Sequence, residues 1–237
     1  MLDLAREEIM AVLDTAARLK KDHAACGAAP LAGKTLGMIF QKPSLRTRVS
    51  FETGMTQLGG HAIYLSPNDI SLGQRETTED IALVSDYTHP CQTLADFQTI
   101  IERKGRLDGI KTCYIGDGNN VAHSLMFGAA RVGMHMTIIT PEGYEPRPDV
   151  IEKATGIAKE TGGSITITND LGAAAGVDVV YTDVWASMGQ ESEAAERRKI
   201  FEAYRIDAET MTRADDDAVI LHCLPAHYGD EIDYDTS

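Results

Sequence analysis

Apolar positions along the chain follow two rhythms that take turns. Leu4, Ile9, Val12, Leu13, Ala16 and Leu19 recur at helical spacing and predict an amphipathic first helix, which stops before the Gly- and Pro-containing stretch 26–33. Short apolar runs then alternate with helical patterns. Residues 34–40 and 61–65 predict strands, and Val49, Phe51, Met55 and Leu58 mark a helix over 46–58 between them, the crossover of a βαβ unit. Helical patterns over 78–85 and 92–101 follow with no strand between them. The second half repeats the alternation more fully, with strands expected at 111–115, 136–140, 164–168, 178–182 and 218–223. The expected fold is α/β: two doubly wound parallel-sheet domains, residues 1–100 and 101–237, the first with an incomplete sheet. Two strands make a marginal sheet, so either a segment is missing there or the first domain leans on its neighbour. Ligands of such folds gather at the carboxyl ends of the strands. Those ends are marked here by Gly116-Asp117-Gly118-Asn119-Asn120, Asp183-Val184-Trp185 and Cys223-Leu224-Pro225.

Composition narrows the chemistry. The 237 residues are 43% hydrophobic and 24% charged, ordinary for a globular protein with one large or two modest domains. A formal charge of -14 repels nucleic acid and anionic membranes, so neither is an expected partner. Cys26, Cys91, Cys113 and Cys223 are scattered without a C-x-x-C pair, which argues against a disulfide framework and a structural zinc site and for a reducing compartment. No apolar run reaches the roughly 18 residues of a membrane span, and the acidic N-terminus lacks a signal pattern. A cytoplasmic location is expected.

Pro43-Ser44-Leu45-Arg46-Thr47-Arg48 joins a strand to a helix. A helix N-terminus presents unpaired N–H groups and a positive dipole end, so two arginines there oppose the dipole unless an anion answers them. Phosphate or carboxylate is the expected ligand, although Ser44 could be a plain cap with the arginines solvated. His89-Pro90-Cys91-Gln92 sets an imidazole and a carboxamide on one face of a starting helix, able to reach one carbonyl group or to serve as caps. Gly116 to Asn120 approaches the dinucleotide fingerprint, but Val121 stands where the third glycine belongs. Exposed Asn119 and Asn120 amides reading a small polar ligand fit that turn better. Asp183 could accept an ammonium group or be a loop acid. The cysteine of His222-Cys223-Leu224-Pro225 defaults to a buried structural residue.

Taken in order, Ser44-Leu45-Arg46-Thr47-Arg48, His89-Pro90-Cys91-Gln92, Gly116-Asp117-Gly118-Asn119-Asn120, Asp183-Val184-Trp185-Ala186-Ser187-Met188-Gly189 and His222-Cys223-Leu224-Pro225-Ala226-His227 resemble the ornithine carbamoyltransferases along essentially the whole chain. The resemblance implies transfer of the carbamoyl group of carbamoyl phosphate to the δ-amine of L-ornithine, without metal or cofactor. It implies a first domain for carbamoyl phosphate and a second for ornithine. Ser44, Leu45, Arg46, Thr47, His89, Gln92, Cys223 and Leu224 match carbamoyl-phosphate positions; Asn120, Asp183, Ser187 and Met188 match ornithine positions. Arg46, His89 and Cys223 are the catalytic expectations, and a homotrimer or multiple of trimers is the expected assembly. Compared with the family pattern, an internal segment before His89 and the C-terminal helix are absent. Tyr228 stands where many members have Arg, and Ser71 where Gln is common. A family member that binds phosphate or amino-acid ligands without turning over is the second reading.

Overall fold

The computed structural model describes residues 1–21, 29–40, 44–65, 87–186 and 191–236. The described elements run α1 (Arg6–Lys21), β1 (Thr35–Ile39), α2 (Leu45–Gln57), β2 (His61–Leu65), α3 (Pro90–Lys104), β3 (Lys111–Ile115), α4 (Asn120–Val132) and β4 (His135–Ile139). They continue with α5 (Pro148–Thr161), β5 (Ser164–Thr168), β6 (Val179–Thr182), α6 (Ala194–Phe201), α7 (Ala208–Arg213) and β7 (Val219–His222). The α/β expectation holds: β1 and β2 pair in parallel, and the five later strands form one parallel sheet in the order β5-β4-β3-β6-β7. The helix expected over 78–85 and the loop 71–74 lie outside the described residues.

Two compact units divide the chain, Ala11–Ser85 on one side and Met1–Met10 with Asp86–Ser237 on the other. Helix α3 therefore packs with the five-stranded sheet, although the ligand-based division at residue 100 groups it with the first strands. In the smaller unit β1 and β2 align Thr35 with His61 and Ile39 with Leu65, and α2 crosses between them. No residue of α2 is fully buried, and Val49 and Ile63 are exposed.

In the larger unit the order in which strands join the sheet reverses between β3 and β6, which pair in parallel from Thr112–Val179 to Ile115–Thr182. A switch in strand order opens a crevice at the carboxyl ends, and the Gly116 and Asp183 motifs leave the sheet there. One face of the sheet carries Cys113, Ile115 and Val180, packed with Val177, Ile206 and Ile232. Tyr114 and Tyr181, register partners on the neighbouring strands, stack at 5.8 Å between ring centroids. The Tyr181 hydroxyl reaches Asp96 of α3. Helix α3 starts at Pro90, whose missing N–H suits a first turn, and packs on α4, a helix buried on nearly every side. Gly128 permits that approach, because a Cβ there would stand 2.7 Å from Phe97 Cζ and 2.8 Å from Thr93 Cγ2.

Candidate active site

In the smaller unit, Ser44 precedes α2 in an extended conformation, and its side chain makes no capping bond. Its hydroxyl donates to Thr47 Oγ1 instead, at 2.9 Å. The first N–H groups of α2 thus keep their attraction for an anion, with Ser44 and Thr47 coupled beside them. Leu45 is 77% exposed, so its side chain has no packing task and its N–H carries any binding. The two arginines part company. Arg48 donates Nε to Glu52 at 2.8 Å and lies 4.3 Å over the Tyr64 ring, tying α2 to β2, whereas Arg46 stands exposed.

In the larger unit, His89 stands just before α3 without a side-chain capping bond, and its backbone N–H donates to Ser124 Oγ at 2.6 Å. Burial pushes the imidazole pKa down, favouring the neutral ring. His89 Nδ1 is buried without a hydrogen-bond partner among the described residues. Gln92, one turn on, donates Nε2 to Asp96 Oδ1 at 2.9 Å. Burial lifts Asp96 to about 7 against the lowering pull of its hydrogen bonds from Gln92 and Tyr181.

At the switch point Asn119 is fully engaged within the protein. Its Oδ1 accepts from the N–H groups of Val121 and Ala122, capping α4, while its Nδ2 donates to Asp183 Oδ2 at 2.9 Å. The expectation of an exposed Asn119 amide is corrected by this, since capping uses one end of the amide and Asp183 the other. Asn120 opens α4, half-buried. Asp183 is 6% exposed, and burial raises its pKa against the opposing Asn119 hydrogen bond. That is more than a loop acid needs: a buried carboxylate with an amide partner is ready for a cation.

Two residues that the sequence pattern did not single out hold this region together. Arg197 of α6 pairs with Asp117 at 3.1 Å and donates Nη1 to the Trp185 carbonyl at 3.0 Å, fixing the loop that follows Asp183. Burial raises the Asp117 carboxyl even so, against the pull of Arg197. Gly118 admits the 144–146 loop, because a Cβ would stand 2.2 Å from Pro146 N. The second missed residue is Glu231, fully buried, whose Oε1 lies 3.0 Å from His222 Nε2 and accepts from the His227 N–H at 2.6 Å.

The Leu224 N–H donates to His222 Nδ1 at 2.7 Å, so the imidazole proton sits on Nε2, facing Glu231. Leu224 adopts φ +59, a left-handed conformation that costs a branched residue about 1–2 kcal/mol. His222 and Glu231 hold the Cys223-Leu224-Pro225 turn in that strained shape. Cys223 is half-buried and is not joined in a disulfide. Ser187 and Met188, the remaining expected ligands, lie outside the described residues.

No cluster of metal-ligating side chains occurs among the described residues, and no described helix is long and apolar enough to cross a membrane. An open groove of about 750 Å³ follows the β7 edge, lined by Thr99, Arg103, Met211, Val219 and Leu221, with none of the expected ligands on its walls.

Carboxyl-end turns at a switch point, a buried acid and an uncapped helix start beside hydroxyls and a cation describe an α/β enzyme that handles an anionic group and an amino compound. The family is fixed by similarity. Residues 1–85 match the aspartate/ornithine carbamoyltransferase carbamoyl-P binding domain, and residues 108–236 match the Asp/Orn binding domain of the same family. The chain is 47% identical to an ornithine carbamoyltransferase of Anoxybacillus flavithermus, over 98% of this chain and 85% of that one. It is 46% identical to that of Thermococcus kodakarensis, over 97% and 84%. The solved ornithine carbamoyltransferase of Pyrococcus furiosus superposes with a TM-score of 0.91 at 44% identity, covering 99% of this chain and 86% of that one. The chain belongs to the aspartate/ornithine carbamoyltransferase family. The match to the Anoxybacillus protein spans 267 residues against 237 in this chain, so that relative carries residues inside the match that are absent here.

Proposed function

We propose that the protein transfers the carbamoyl group of carbamoyl phosphate to the δ-amine of L-ornithine, releasing L-citrulline and phosphate, a step of arginine biosynthesis. The carrying observation is the near full-length match to ornithine carbamoyltransferases at about 45% identity, with both ligand-binding domains of the family present. In this reading the first domain, to about residue 100, takes carbamoyl phosphate, and the remainder takes ornithine.

The chemistry follows from the groups described. Ser44, the Leu45 N–H, Arg46 and Thr47 hold the phosphate; His89, Gln92, Cys223 and the Leu224 carbonyl hold the carbamoyl group. Asp183 and Ser187 take the α-ammonium of ornithine, Asn120 its carboxylate, and Met188 lies alongside. The neutral δ-amine attacks the carbamoyl carbon, a tetrahedral oxyanion forms, and its collapse expels phosphate. Alignment and charge stabilisation by preorganised donors supply the acceleration. A neutral His89, favoured by its burial, donates to the carbamoyl oxygen without carrying a charge of its own. The protein acts in the cytoplasm as a homotrimer or a multiple of trimers.

Colorimetric detection of citrulline from carbamoyl phosphate and ornithine tests the proposal. Product that requires both substrates is the expected result. Phosphate and ornithine binding without citrulline would instead make the chain a ligand-binding member of the family.

A further inference from the structure

Asp96 is a buried carboxylate held by hydrogen bonds. It is 5% exposed, lies one turn beyond Gln92 on α3, and no cation pairs with it among the described residues. A carboxylate so placed is costly, and burial lifts this one to about 7. Its two oxygens have separate partners: Oδ1 accepts from Gln92 Nε2 at 2.9 Å, and Oδ2 accepts from the Tyr181 hydroxyl at 3.0 Å. Tyr181 is itself fully buried and held by stacking on Tyr114.

The consequence falls on Gln92. A carboxamide has a donor end and an acceptor end of nearly equal shape, and without a fixed partner it turns either way. Once ionised, at pH above about 7, the Asp96 carboxylate only accepts, so Gln92 must give it its NH₂ and leave Oε1 for a ligand. The carbamoyl group differs from an acyl group in bearing an NH₂, which offers donors alone. We propose that Asp96 is a positioning residue that locks the Gln92 carboxamide with Oε1 toward the carbamoyl NH₂, and so selects carbamoyl phosphate over acyl phosphates that lack it. The inference rests on the reading that Gln92 faces the carbamoyl group.

Asp96→Asn makes a sharp test because it keeps the shape and reverses the polarity. The Tyr181 hydroxyl still donates to position 96, so the asparagine turns its oxygen to Tyr181 and its NH₂ to Gln92. Gln92 then turns over and presents NH₂ to the ligand. Inhibition constants for phosphonoacetamide, which carries the NH₂, and phosphonoacetate, which carries a carboxylate there, read out the turn. The parent should favour the amide relative to Asp96→Asn, whose preference should move toward the carboxylate by on the order of tenfold or more, the cost of facing like hydrogen-bonding groups. The inhibition constant of inorganic phosphate, which lacks the group, should not change.

A second variant, Asp96→Asn with Tyr181→Phe, removes the hydroxyl that dictates the asparagine orientation and should return the preference toward that of the parent. An unchanged ratio in Asp96→Asn, beside a changed ratio in Gln92→Ala, would overturn the role of Asp96 alone. An unchanged ratio in Gln92→Ala would overturn the placement of Gln92 on which the inference rests.

Discussion

The two units carry their charged groups in opposite ways. At the start of α2 the groups lie in solvent: Arg46 is exposed, Leu45 is 77% exposed, and no residue of the helix is fully buried. At the switch point they lie inside: Asp117, Asp183 and Arg197 are buried and Glu231 has no exposure, each with a partner already in place. Exposed donors cost little to keep and gain their strength when an anion removes their water. Buried ones are wired before any ligand arrives, and the fold bears their desolvation. Function should therefore separate from stability in the smaller unit and stay entangled with it in the larger.

The largest effect should follow removal of the buried guanidinium. Arg197→Met leaves the Asp117 carboxyl inside the protein without its ion-pair partner, and unfolding in urea should show a loss of about 3–5 kcal/mol. The Michaelis constant for ornithine should rise as well, since the loop after Asp183 loses its hold on Trp185. An unchanged urea midpoint would break the comparison.

Asp96 runs the other way. Its folded-state pKa of about 7 lies above the usual unfolded value near 4, so the folded protein binds more protons between those values. The stability that Asp96 contributes is complete below about pH 4 and is lost as pH rises through about 7. Asp96→Asn should accordingly gain on the parent from pH 4 to pH 8, by up to about 4 kcal/mol, in denaturation curves taken across that range.

Arg46→Ala should cost chiefly function: roughly a hundredfold or more in kcat/KM, from loss of a donor worth about 3 kcal/mol, with the small change in melting temperature expected of an exposed side chain. Arg48→Ala should show the smallest effect, a stability loss of no more than about 1 kcal/mol from an exposed ion pair and its contact with Tyr64, with turnover retained. Equal activity of Arg46→Ala and the parent would remove the anion site from the account.

The same contrast decides what the sequence could reveal. Strands β3 to β7 were legible within about a residue at either end, because short apolar runs bounded by Gly, Asp or Pro leave little choice of structure. The starts of α2 at Leu45 and of α3 at Pro90 were legible for the same local reasons. The allegiance of α3 was not, since an amphipathic helix does not name the sheet it will cover. Arg197, Glu231 and Asp96 were equally hidden: each is a single polar residue whose importance comes from a distant partner, as with Asp96 and Tyr181, 85 residues apart. Asn119 misled for a related reason. Its place with Asn120 in the turn after a strand suggested a ligand-reading amide, while its oxygen serves the helix start and its nitrogen the acid 64 residues later.

Transfer of a label settles the central claim most directly. With carbamoyl phosphate labelled at its carbonyl carbon with ¹³C, NMR should show the label appear in the ureido carbon of citrulline when ornithine and the purified protein are present, and remain in carbamoyl phosphate or its breakdown products when ornithine is left out. Label that passes to aspartate rather than ornithine, or to no amino acid at all, would contradict the account.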